Sequence, residues 1–439
     1  MRWLPRVLSL LLGVALCGFV FTHDRTLSRA PLDREITHTL GDDWDSLLTT
    51  WEAGRVQLLQ GVVPTFSPFT QGGVPLLGNP ESPTLYPPYL LTLELSTSTA
   101  MKLLMALHWI LLIVGFYAAG RELGLGPVAA HGGALALLAS SFLPEFVGWG
   151  HQMFLAIGWA PLAFVAARRD RPILAGGALA MPLLFGAHYV FFFALLWLAL
   201  DAAARSVDAS RLRWLVPGLG LNAVWLGAGP DHVASQAIAV PVVATLLVLG
   251  LTMQRPRTPP DDGAQPLLAL GAIVLVAAAL CAPKLLASLE LVAVAERLDH
   301  ARVRTALTFQ YDLASFWDVA RGAMERPAGH EGINVFFSPV PVLLGGIGLL
   351  AGALRWPRAF LPGLVLLGVG LADATPVNLT QALHRVPGFD RLDKIERYTL
   401  LWTPFLGWGL GAGVAALRGR ARVVVAAAAL LAVGSWVHA

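Results

Sequence analysis

Three carboxylates stand within four residues in Gly41-Asp42-Asp43-Trp44-Asp45. A carboxylate beside a membrane can serve as a general base toward a hydroxyl acceptor, or hold a divalent cation against a phosphate. If the segment is helical, Asp42 and Asp45 fall on one face and Asp43 is turned away. Glu52 follows a turn or two later. The same acids also suit the start of a helix running from Trp44 to Leu59, where they meet the positive end of its dipole. Capping and catalysis are compatible, so the cluster is the first candidate for a catalytic group.

The elements that must position these acids are mostly apolar. The chain has 439 residues, of which 56% are hydrophobic and only 13% charged. Soluble domains carry about a quarter charged residues. Apolar runs of about 20 residues recur, the length a bilayer core of about 30 Å demands of a helix. The expected fold is therefore an all-α polytopic integral membrane protein. About thirteen spans are read: 4–22, 100–119, 127–143, 152–167, 172–187, 188–204, 214–230, 233–251, 266–287, 338–354, 358–372, 398–417 and 422–438. The first is read as an uncleaved span. Cys17 and Cys281 fall in or near apolar spans and suggest neither a disulfide framework nor a zinc site.

Charge orients these spans. With a cytoplasmic N-terminus, the inside segments hold 16 of the 31 basic residues and the outside holds 22 of the 28 acids. The short opposing loops near 144–151, 187 and 230–232 contain no Lys or Arg, which is the positive-inside pattern. Three larger segments then face outward: 23–99, about 288–337, and 373–397. The whole chain, 1–439, reads as a single transmembrane domain carrying these loops. The cytoplasmic loops show no phosphate-binding glycine fingerprint, and nothing points to nucleic acid.

The first of these loops, 23–99, continues past the acids into a run punctuated by prolines at 64, 68, 75, 80, 83, 87 and 88. Prolines at this density impose turns and extended backbone. Phe66, Phe69, Tyr86 and Tyr89, interleaved among them, suit docking against an apolar surface. Elsewhere on the outside lie Lys284, Arg297, Arg302, Arg304, Arg385, Arg391, Lys394 and Arg397. Arginine offers bidentate contacts to phosphate oxygens. Lys284 sits near a span end, where a lysine must snorkel or pair. Glu145, His151, His188 and His232 lie at external helix ends as candidate polar contacts for a substrate. Acids and histidines are present outside without tight metal-ligand spacing, so a divalent cation is possible and no metal ligand is assigned.

Several stretches in order resemble the YfhO-like bacterial membrane proteins of the GT-C glycosyltransferase superfamily. The acid cluster is followed by Gly61-Val62-Val63-Pro64-Thr65-Phe66-Ser67-Pro68, then Gly73-Val74-Pro75, Asn79-Pro80 and Tyr86-Pro87-Pro88. Further similar pieces are Gly150-His151 running into Trp159-Ala160-Pro161-Leu162, Gly186-Ala187-His188, Pro283-Lys284-Leu285-Leu286 with Leu289-Glu290-Leu291, Gly332-Ile333-Asn334, and Arg385-Val386-Pro387-Gly388-Phe389 with Arg397-Tyr398. The chain departs from the family in having Phe66-Ser67-Pro68 where Trp-Asn-Pro is usual.

The resemblance implies a GT-C-like bundle with a long first extracytoplasmic loop, in the bacterial inner membrane. It implies transfer of a sugar from a polyprenyl-phosphate donor to an extracytoplasmic acceptor such as a cell-envelope glycan, a lipid or a protein. The catalytic acid would be Asp42, Asp43 or Asp45. Lys284, Arg297, Arg385, Arg391, Arg397, Glu145, His151 and His188 would contact the substrate. A transporter or flippase of a lipid-linked glycan, or a non-catalytic protein retaining this fold, is the alternative.

Overall fold

The computed structural model describes residues 42–68, 73–140, 151–207, 265–294, 339–370 and 399–416, with Leu11, Leu143, Val147, Leu383, Arg385, Val386 and Arg397 as single positions. The spans expected at 4–22, 214–230, 233–251 and 422–438 fall outside these residues, Leu11 apart. The described elements run α1 (Asp42–Leu59), β1 (Phe66–Ser67), β2 (Val74–Pro75), α2 (Pro87–Leu90), α3 (Thr97–Glu122), α4 (Pro127–Ala130) and α5 (Gly132–Ala139). A 3₁₀ helix (Gln152–Gly158) leads into α6 (Trp159–Arg168), α7 (Pro172–Phe185) and α8 (His188–Ser206). Then come α9 (Gln265–Val294), α10 (Pro339–Arg355), α11 (Pro357–Gly370) and α12 (Thr399–Ala416).

Among the described residues, Thr97–Glu122, His188–Ser206 and Gln265–Glu290 are long and apolar enough to cross a membrane. The chain is a helical membrane protein. Other expected spans are shorter or interrupted. The run at 127–143 breaks at His131, between α4 and α5. The run at 152–167 opens as a 3₁₀ helix before turning α-helical at Trp159. The helix expected to end at 287 continues to Val294, with no glycine or proline from Leu289 to Val294 to stop it.

The tight turn expected near 186 is present. Gly186 closes α7 in the left-handed conformation at φ 101°, with Ala187 N–H donating to Pro182 O at 2.7 Å. Such a closure favours glycine. Asp170, at φ 54°, takes the same region in the turn before α7.

The chain divides into two compact units. The first comprises Met1–Ala119, Leu143–Leu195 and Gly271–Asp299; the second comprises Gly120–Phe142, Leu196–Leu270 and His300–Ala439. In the second unit, α12 packs against α4, α5, α10 and α11. Trp408 is fully buried there, its indole N–H donating to Ala130 O at 3.1 Å, with Trp197 and Phe405 around its ring. Small residues let these helices meet backbone to backbone: a Cβ on Gly345 would stand 2.8 Å from Leu406 O, and one on Gly411 2.9 Å from Ala129 Cα. Such close approach is how helices gain contact in lipid, where no hydrophobic drive pushes them together.

The first unit holds α1, the proline-rich loop, most of α3, the 3₁₀ helix, α6, α7 and much of α9. Gly158 abuts the backbone of Leu111 and Leu112 on α3, and Gly176 of α7 abuts Ile273 and Val276 of α9. This unit positions the candidate site.

Candidate functional site

The acid cluster opens a helix. α1 starts at Asp42, so the helical condition that puts positions 42 and 45 on one face is met. The side chains of residues 42–47 lie outside what the structure describes. From Thr50 onward α1 is tied down. Trp51 is buried, its ring edge-on to Tyr89 (centroids 5.2 Å apart) and to Phe185 at the end of α7 (5.8 Å). Tyr89 Oη–H donates to Trp51 O at 2.7 Å, and burial pushes the phenol's pKa up, so it stays a neutral donor.

The next residue, Glu52, accepts two hydrogen bonds from Arg55, at 2.7 and 2.9 Å, and a third from the Thr97 hydroxyl at the start of α3. Arg55 also donates to Leu93 O at 3.1 Å. The Arg55 guanidinium holds the Glu52 carboxyl below its ordinary pKa, helped by Thr97 and partly opposed by desolvation, while Glu52 raises Arg55 in return. Glu52 retains 45% of its side-chain exposure, so the pair is a half-solvated clamp and not a strong buried ion pair. It nevertheless couples α1, the segment before α3, and α3 itself.

The proline-rich run forms a short antiparallel hairpin, Phe66 opposite Pro75 and Ser67 opposite Val74, prolonged by Leu76 N–H to Thr65 O at 2.9 Å. Phe66 is exposed, whereas Tyr86 and Tyr89 are buried; Phe69 lies outside the described residues. The docking expected of these aromatics is therefore carried by the two tyrosines. Tyr86 enters the bundle, receiving a hydrogen bond from Trp159 Nε1 at 3.0 Å and lying 3.0 Å from His108 Nε2. Its ring is 4.9 Å from Phe185. Between hairpin and tyrosines, Asn79 turns the chain, accepting from Glu81 N–H through Oδ1 and from Ser82 N–H through its carbonyl.

Lys284 behaves differently from the expectation of a lysine near a span end. α9 runs ten residues past it, and its side chain is 1% exposed, so it does not snorkel. Its ammonium instead donates to two backbone carbonyls, Ser82 O in the loop and Leu184 O in the last turn of α7 at 3.4 Å. This contact was not legible in the sequence, because a carbonyl acceptor leaves no residue-type signature.

The structure brings His151 and His188 to the two ends of one aromatic row. The His151 ring meets Phe154 at 6.0 Å, Phe154 meets Tyr189 at 6.4 Å, and Tyr189 meets His188 at 4.7 Å. Both histidines are half-buried. Beside His151, Gln152 is 2% exposed, and neither polar atom of its carboxamide has a hydrogen-bond partner among the described residues. Leaving both ends of a buried amide unpaired costs about 1–3 kcal/mol per group, so Gln152 has binding capacity to spare.

Arg385 stands in an exposed turn and Arg397 is half-buried. Glu145, Arg297 and Arg391 lie outside the described residues, as do Arg302, Arg304 and Lys394. Among the described residues, no group of three or more His, Cys, Asp or Glu side chains is placed to hold a metal ion.

No protein-family model matches the chain, and no curated protein matches it. Among solved structures, it is similar to the crystal structure of the Archaeoglobus fulgidus oligosaccharyltransferase in the apo form, at 14% sequence identity and a TM-score of 0.45, over 98% of this chain and 55% of that one. The chain thus spans about half the length of the chain it matches. A TM-score at that level carries no weight for what this chain does.

Proposed function

We propose that this chain is a membrane glycosyltransferase of the GT-C type, moving a sugar from a polyprenyl-phosphate carrier to an extracytoplasmic acceptor. One of Asp42, Asp43 and Asp45 acts as the carboxylate that assists attack of the acceptor hydroxyl. The observation that carries this reading is the anchoring of α1. Trp51, Glu52 and Arg55 fasten the helix that begins with the acids to Tyr89, Phe185 and Thr97. Of these, Thr97 and Phe185 sit at the ends of α3 and α7 that the charge pattern assigns to the outside. A general base has to be held in register with its substrate, and a helix fixed about two to three turns beyond its reactive end supplies that.

The basic residues Lys284, Arg297, Arg385, Arg391 and Arg397 are assigned to the carrier phosphate. Glu145, His151 and His188, with Gln152 added, are assigned to the sugar or acceptor. No divalent cation is assigned to the reaction.

The test is sugar transfer by purified protein from a polyprenyl-phosphate sugar. Asp42→Asn, Asp43→Asn and Asp45→Asn are compared with wild type at equal expression and membrane insertion. Loss of the catalytic base lowers turnover by at least about 100-fold in one of the three. Full activity in all three would show that the acid lies elsewhere.

A second reading draws on Lys284. An ionisable group wholly buried within a spanning helix is what transport pathways use. A flippase would move the lipid-linked glycan between leaflets of a vesicle without cleaving it, and the same preparation distinguishes the two by product.

A further inference from the structure

We propose that Lys284 is a phosphate-responsive latch: its ammonium holds the segment Leu77–Thr84 through the Ser82 carbonyl, and releases it when the phosphate of a lipid-linked ligand takes that carbonyl's place. The identity of the ligand rests on the lipid-phosphate donor proposed above; the latch itself rests on the geometry around Lys284.

The segment is a strap between two anchors. On one side stands the β1–β2 hairpin, closed by Leu76 on Thr65. On the other stand Tyr86 and Tyr89, both buried and both hydrogen-bonded. Between them, among the described residues, three contacts tie the strap to α7 and α9. Gly78 lies against the backbone of Ala287 on α9, where an added Cβ would stand 2.7 Å from its carbonyl oxygen. Glu81 lies against Gly186, the closing residue of α7. Ser82 O receives the ammonium of Lys284. The first two contacts are van der Waals packing of backbone on glycine. The third is the polar one, and it crosses from strap to α9.

The acceptors chosen by Lys284 make this contact exchangeable. A buried ammonium has three donors and a full charge, and is stable only when that charge is met. Here two neutral carbonyls meet it. Among the described residues no carboxylate is in ion-pair contact with Lys284, and Glu81 acts on it only at longer range. The second carbonyl, Leu184 O, belongs to the last turn of α7, whose free carbonyls carry the negative end of that helix. It stays in place when the strap moves. A phosphate oxygen is an ionised acceptor, and hydrogen bonds to ionised acceptors are about twice as strong as those to neutral ones. Exchange of Ser82 O for phosphate therefore favours the phosphate, while Leu184 O keeps the ammonium aimed. Once Ser82 is free, the strap is left with its glycine contacts and the Asn79 turn.

The experiment is hydrogen exchange on the full chain in lipid nanodiscs, read at the Glu81 and Ser82 amides. Decaprenyl phosphate is the probe, with decaprenol and inorganic phosphate as controls. Decaprenyl phosphate speeds exchange of these amides by about tenfold, while decaprenol leaves it unchanged. Acceleration by inorganic phosphate as well identifies the headgroup alone as the trigger; its absence identifies the lipid phosphate. Lys284→Arg keeps the response, and Lys284→Met exchanges fast with or without ligand. An unchanged strap in wild type with decaprenyl phosphate, or an equal response to decaprenol, overturns the latch. Sugar transfer is measured on the same wild-type sample. Transfer with an unresponsive strap removes the latch and leaves the glycosyltransferase reading standing. A responsive strap without transfer does the reverse.

Discussion

Tyr86 donates its phenolic hydrogen to Nε2 of His108 across 3.0 Å, from a loop into the middle of a 26-residue helix. The direction follows from the partners. His108 Nδ1 lies 2.7 Å from Leu104 O, which can only accept, so Nδ1 carries the hydrogen and Nε2 of the neutral ring is bare. Trp159 Nε1 can only donate, and it donates to the same phenol oxygen. Every donor in the row Trp159, Tyr86, His108, Leu104 thus finds an acceptor. Three segments distant in sequence are joined by one fully satisfied chain of hydrogen bonds.

Removing the central hydroxyl breaks two bonds at once. Tyr86→Phe leaves the fully buried His108 Nε2 and the N–H of the half-buried Trp159 unpaired, at about 1–3 kcal/mol. Thermal unfolding in detergent will show a lower midpoint. In a double-mutant cycle, Tyr86→Phe and Trp159→Phe together will cost less than the sum of the two single changes.

The Glu52–Arg55–Thr97 clamp carries a pH signature. The folded-state pKa of Glu52 lies below its ordinary value of 4.5. A depressed carboxylate stabilises the fold above the unfolded pKa and loses that contribution as pH falls through the folded one. Glu52→Gln will therefore be less stable than wild type near neutrality, by about 0.5–1 kcal/mol for a half-exposed pair, and the difference will shrink steadily below the ordinary value. Melting curves across the acid range measure it, and a gap that widens on acidification would contradict the clamp.

Two glycines of α7 give opposite outcomes for the same substitution. Gly186→Ala forces a side chain into φ 101° and against the Glu81 backbone, at about 1–3 kcal/mol. At Gly177 a new Cβ meets nothing within 4 Å, and Gly177→Ala will be neutral or stabilising by up to about 1 kcal/mol through helix propensity. Thermal shifts of the two variants are the check.

Orientation is open to direct labelling. With Cys17 and Cys281 replaced by serine, Val62→Cys will react with a membrane-impermeant maleimide on intact cells, and Asp170→Cys will react only after permeabilisation. Both positions are exposed. The reverse pattern would invert the topology drawn from the charged loops.

Much of the helical skeleton could be read from composition alone, because a 20-residue apolar run has few alternatives in a bilayer. The turn at Gly186 and the docking of Tyr86 and Tyr89 were legible for local reasons, a glycine between two apolar runs and aromatics among prolines. Interruptions were harder. The break at His131 and the 3₁₀ turn of Gln152–Gly158 keep the apolar composition of a continuous span, so hydropathy passes over them. Partner identity was hardest of all. Lys284 reads as a charge near a span end, yet its carbonyl partners come from residues 82 and 184. Nothing in the spacing of Glu52 and Thr97 announces that they meet. The acid cluster was visible by residue type, and its place at the first turn of α1 agrees with the helical reading.

The 14 residues of α7 rise about 21 Å, against a hydrocarbon core of about 30 Å. If Pro172 stands at the cytoplasmic boundary, Phe185 ends about 9 Å short of the opposite one. The strap, Tyr86 and the buried face of α1 rest at that level. On the function and topology proposed above, that depth seats the loop in a recess of the outer leaflet, open sideways to a carrier's phosphate through the lipid and from above to a water-soluble acceptor.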